Sequence, residues 1–205
     1  MTQSLDPTVV KRLAFIRFLY HQGVEQITRP QPLSATALLC FHDAVEMFLL
    51  LAAEHLKVNL PTDTKFMEYW DKINAKANKD LPSKPAMGRM NNVRKNFKHH
   101  GSIPSTIDLE QFRADVTTFL TDATELVFEA DFQTLNMVDL VTQPEVRTLI
   151  NEAEVRVQEN NYAEALALLS QAFNDLLNDH AHRKRIVSME GPTRSVPSED
   201  SMTQH

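Results

Sequence analysis

SATALLCFHDAVEMFLLLAAEHLK, residues 34–57, decides the fold class of this chain. Placed on a helix at 100° per residue, Ala35, Leu38, His42, Glu46, Leu49 and Ala53 share one narrow face. Phe41, Val45, Phe48 and Ala52 flank it, while Met47 and Leu51 lie opposite. A helix on the surface keeps one side polar; one that is apolar nearly all round has neighbours on several sides. The spacing therefore predicts a central helix. His42 and Glu46 stand one turn apart inside its stripe, and buried charge needs a partner. The pair is expected to be sequestered, bonded together or to a basic residue of another helix.

Working outward, helical rather than alternating periodicity recurs along the chain. Asp6-Pro7 is a helix start, a capping side chain followed by proline in the first turn. Val9, Leu13, Ile16 and Tyr20 then repeat at helical spacing until Arg29-Pro30-Gln31-Pro32 ends the helix. A third helix is expected to open near Thr62 or Asp63, with Phe66, Trp70, Ile73 and Ala77 inward. A fourth, about 86–100, is expected to bury Ala86, Met90, Val93 and Phe97, with Gly101 as its left-handed cap. Ser105 and Asp108 form a capping-box pattern ahead of Leu109, Phe112, Val116, Phe119 and Ala123. Thr142 and Glu145 suggest another capping box, before Val146, Ala153 and Val157. Asn160-Asn161 turns the chain into a last helix carrying Tyr162, Ala165/Leu166, Leu169, Ala172/Phe173 and Leu176 to about Arg185.

The predicted architecture is all-α. An up-and-down helical bundle over 1–135 is followed by a helical hairpin over 142–185 and a disordered tail over 186–205, where polar residues lack any apolar period. The hairpin is similar to one tetratricopeptide unit, with Tyr162, Ala165 and Ala172 at the second-helix positions. One such unit cannot stack into a solenoid, which needs about three. It is expected to serve oligomer or partner contacts.

Only four glycines and one cysteine occur in 205 residues. A single Cys40 excludes an intrachain disulfide and fits a reducing compartment. The start MTQSLDP has no basic segment leading into an apolar run, so no secretory signal is expected. The longest apolar stretch, 33–56, is interrupted by His42, Asp43, Glu46, Glu54 and His55, so no membrane span is expected and the location reads as cytoplasmic. There is no glycine-rich phosphate loop, Cys/His metal cluster, or serine or cysteine triad pattern, and no cofactor is expected.

Residues able to do chemistry crowd into 90–104, MNNVRKNFKHHGSIP. The net charge of the chain is −6, yet residues 72–100 hold eight Lys/Arg against one acid, Asp80. A basic patch on an acidic protein suits a polyanion. Equally, Lys98, His99 and His100 in a last turn before Gly101 are what the helix dipole favours on its own. The patch also has a candidate neighbour in 108–131, where seven Asp/Glu accompany one Arg. His42 and Glu46 have the i, i+4 spacing of a metal-ligand pair, but no second pair accompanies them. A structural pair, or a support for Arg94, is the expected role.

Arg94-Lys-Asn-Phe-Lys-His99, extended by His100, together with the apolar helix containing His42 and Glu46, resembles the HEPN superfamily of helical-bundle proteins over about residues 1–131. The motif of that family is an arginine followed after four to six residues by a histidine at a helix end. The position after the arginine, often Asn, Asp or His in active members, is Lys95 here. The resemblance implies a metal-independent endoribonuclease of toxin or antiphage-defence type, with its site shared across a homodimer. Arg94 would hold the phosphate, His99 or His100 would act as acid and base, and Asn96 and Lys98 would position the RNA backbone. An inhibitor or partner protein would accompany such a role. The alternative is a non-catalytic helical adapter for protein–protein contacts.

Overall fold

The central helix of the fold is α2 (Ala37–His55), 11 of whose 19 residues are buried. A 3-10 turn over Leu33–Thr36 leads into it, so the predicted start at Ser34 is tighter than α-helical. In a computed structural model of the chain, residues 5–77 and 80–189 are described, and among them every regular element is helical. Around α2 stand α1 (Pro7–Ile27), α3 (Glu68–Ala77), α4 (Lys84–His100) and α5 (Thr106–Phe128), each in contact with it. Leu33–His55 is long and apolar enough to cross a membrane by length and composition, but 61% of its most apolar window is buried inside the protein.

Burial on both Leu38/Phe41/Leu49 and Leu51 sides satisfies the all-round apolar pattern of α2. A narrow strip stays at the surface, with Asp43, Leu50 and Glu54 exposed and Glu46 and Met47 half-buried. Where α1 crosses α2, Gly23 removes the side chain that Phe41 would otherwise strike; a Cβ there would lie 2.5 Å from the ring. Arg12 of α1 ion-pairs with Glu54 at the far end of α2. The predicted caps form at two helices. Asp6 accepts from the Thr8 amide at 2.7 Å, and Ser105 and Asp108 close a reciprocal capping box at α5.

Several boundaries move. Residues 62–67 form turns rather than the start of a helix, and Phe66 reaches the core from this loop. Helix α3 begins at Glu68 and buries Trp70 completely, its indole N–H donating to the Pro82 carbonyl at 2.9 Å. In α4 the buried face is Met87, Met90 and Asn91, whereas Ala86, Val93 and Phe97 are half-buried. Met90 of the predicted stripe is thus fully buried and Ala86, Val93 and Phe97 pack against the core, with Met87 and Asn91 added on one side.

Two compact units divide the chain, Met1–Leu140 and Val141–His205. The second contains α6 (Pro144–Gln158) and α7 (Tyr162–Met189) packed together. Gln143, not Thr142, is the N-cap of α6 and makes no side-chain cap bond, and Pro144 stands in the first turn. Asn160 turns the chain at φ 59. Among the described side chains of α7 only the small Ala165 and Ala172 are buried, and α6 buries Val146 and Ala153. Of the paired positions Ala165/Leu166 and Ala172/Phe173 the alanines turn inward, while Val157, Tyr162, Leu166, Leu169, Phe173 and Leu176 stay 40–67% exposed. The predicted tail begins too early, because α7 continues to Met189; residues 190–205 lie outside the described residues.

Candidate functional site

Asn91 and Arg94, three residues apart on α4, turn the same face of that helix toward α2. Asn91 is buried, and its Oδ1 accepts from His42 Nε2 at 3.2 Å. The His42 ring is 1% exposed and stacks on Phe66 with centroids 4.3 Å apart. Its other nitrogen, Nδ1, has no hydrogen-bond partner. Glu46 and Asp43 carboxylates approach Nδ1 only to 3.7 Å and 3.8 Å, longer than a hydrogen bond.

Burial and then the Arg94 charge drive the His42 pKa down to about 4, with Lys98 and Lys95 adding to the effect against the Asn91 hydrogen bond. His42 is therefore a neutral imidazole near pH 7. It orders the floor of the site and holds Asn91 in place. Glu46 is not sequestered as its position in the stripe suggested. Its side chain is 39% exposed, because the strip containing Asp43 and Glu46 is the one part of α2 that reaches the surface here.

Above this floor lies a cleft of about 400 Å³ between α2, α4 and the loop before α3, bordered by Glu46, Lys65, Phe66, Met67, Arg94 and Lys95. Arg94 is half-buried, and its Nε is enclosed without a hydrogen-bond partner. Arg89, five residues earlier, is a basic residue of α4 that meets the acidic helix, pairing with Asp115 at 3.3 Å. The expected contact between the patch and α5 thus reaches Arg89, while Arg94 faces the cleft.

His99 and His100 do not join Arg94 within one chain. Both are exposed in the last turn of α4, as are Asn96 and Lys98. His99 lies about 7.5 Å further along the axis and about 140° round from Arg94; His100 lies about 120° round the other way. Gly101 ends the helix at φ 66, as predicted.

His42, Asp43 and Glu46 could offer three ligand atoms within 4.8 Å of one another. The charges of Arg94, Lys95 and Lys98 act on the same spot and oppose a cation there. Cys40 is half-buried, and burial, then Asp43, raises its thiol pKa. The residues missed by sequence reading are Asn91, Lys65, Phe66 and Met67. Asn91 was detectable, since it shares the i, i+3 face of α4 with Arg94. The loop residues had no such signal. No family model, curated protein or solved structure matches the chain.

Proposed function

We propose that the cleft between α2 and α4 binds the phosphate backbone of RNA and that the chain is a metal-independent endoribonuclease. The observation that carries this reading is Arg94, a half-buried guanidinium at the cleft with its enclosed Nε unpartnered, flanked by Lys65 and Lys95. Arg94 makes no ion pair among the described residues, although Glu46 and Glu68 line the same cleft, and a guanidinium so placed can offer paired hydrogen bonds to phosphate oxygens. His42 is neutral and buried, so it positions Asn91 rather than moving protons. His99 and His100 are exposed imidazoles at the end of α4, and one of them from a second copy completes the site as acid and base. The 2′-hydroxyl attacks the phosphorus, its proton passing to a base. The 5′-oxygen leaves with a proton from an acid, and a 2′,3′-cyclic phosphate remains.

The test is cleavage of mixed RNAs by the purified chain in the presence of a chelator. Cyclic-phosphate ends are expected. Arg94→Ala should lower the rate about 100-fold or more while the helical circular dichroism is kept. Arg94→Lys should also fail, because a point charge does not reproduce the fork. Of His99→Ala and His100→Ala, one should be severe and the other nearly silent. Full activity in Arg94→Ala, or in the double histidine variant, would remove this site from consideration. The divergence of His99 and His100 from Arg94 within one chain favours the alternative, a non-catalytic helical adapter. In that case no RNA is cut, and the same substitutions weaken a protein contact instead.

A further inference from the structure

Tyr162, Leu166, Leu169, Phe173 and Leu176 follow one another along α7 at intervals of four, three, four and three residues, and all are 40–67% exposed. That alternation is the 3.5-residue repeat of a helix seam, in which each large side chain inserts between residues of a facing helix. Ala165 and Ala172, which are buried, lie about 70° round the helix from the centre of this seam. Helix α7 therefore has two faces: small residues where α6 covers it, and large apolar ones that α6 leaves open.

We propose that this open face of α7 pairs with α7 of a second copy of the chain. With Leu177, also exposed, the seam leaves on the order of 600 Å² of side-chain surface per chain in water, against roughly 800 Å² per partner in a standard stable interface and a few hundred in most monomer patches. Its uncovered edge holds Ala163 and Ser170, both small and uncharged, while Glu164 and Asp175 project to the far side of the helix. Two identical seams thus meet without opposing like charges. A single helical hairpin leaves open the face that a following hairpin would cover, and a second copy supplies a hairpin of the same shape.

The experiment is cysteine cross-linking of the full chain in a Cys40→Ser background. Leu169→Cys, at the middle of the seam, should form a covalent dimer under mild oxidation, with a mass twice the 23.4 kDa of the chain. Gln171→Cys, on the opposite side of α7, should not. Adding Leu166→Glu and Phe173→Glu should abolish the cross-link; both side chains are exposed, so unchanged circular dichroism is expected. No cross-link at 169, an equal one at 171, or one that survives the two glutamates would overturn the proposal. Arg94→Ala should leave the cross-link intact. A chain that cross-links at 169 and cuts no RNA sinks the ribonuclease reading and leaves the α7 pairing standing.

Discussion

At the scale of single residues, His42 makes stability depend on pH. The unfolded chain takes up its proton near the ordinary value of 6.5, while the folded chain resists until about 4. Between those values the unfolded state binds more protons, so stability is fully present above about pH 6.5 and falls as pH drops toward 4. The loss approaches roughly 3 kcal/mol. The half-buried His21, also lowered by burial, adds in the same direction. His42→Gln should flatten most of this slope, measured as urea midpoints at pH 7.5 and 4.5; an unchanged slope would place the titrating group elsewhere. Gly23 supplies a second test. A methyl group there would meet the fully buried Phe41 ring. Overpacking typically costs about 1–3 kcal/mol, and replacing a helical glycine by alanine returns about 1 kcal/mol. Gly23→Ala should therefore destabilise by up to about 2 kcal/mol in urea unfolding. A stabilised variant would show that α1 and α2 have room to separate.

Among the elements, α5 depends on its start. Ser105 and Asp108 satisfy amides at the helix end through bonds of 3.1 Å in each direction. Ser105→Ala should lower stability by about 1 kcal/mol, with Ser105→Asn restoring most of it; no change in the urea midpoint would mean water caps the helix equally well. The buried face of α4 is the lesson at this scale. Periodicity placed Ala86, Met90, Val93 and Phe97 inward, and all four meet the core, but a stripe read from one helix does not state which of two adjacent rows its neighbour covers more deeply. Packing against α2 buried Met87 and Asn91 beside Met90, the side on which Arg94 borders the cleft. In α7 the same ambiguity resolved toward the small residues, because alanines allow α6 to approach closely. The large residues were thereby left outside.

For the whole molecule, the main core lies within one unit. Its buried members run from Leu13 to Leu135, and none belongs to α6 or α7. A fragment of residues 1–140 should therefore unfold cooperatively, followed by the fluorescence of the buried Trp70. Residues 141–189, whose buried apolar side chains among those described are Val146, Ala153, Ala165 and Ala172, should show little helical structure alone at low concentration. A broad, non-cooperative transition for 1–140 would mean that its core is completed by the second unit.

The sequence by itself determined that the chain is helical, that residues 34–57 are its centre, and where Asp6, Ser105 and Gly101 begin or end helices. These are local facts: a side-chain period, a capping oxygen and a glycine free to take positive φ act through neighbours a few residues away. It also marked Arg94, because basic residues cluster there in an acidic chain. Only the tertiary structure decided that Arg94 lies with His42 and Asn91 while His99 and His100 point elsewhere, and that Glu46 sits at the rim. Only it showed Lys65, Phe66 and Met67 at the same cleft. Those relations depend on how far each helix turns about its own axis against its neighbour, a choice made by side-chain volumes from distant parts of the chain.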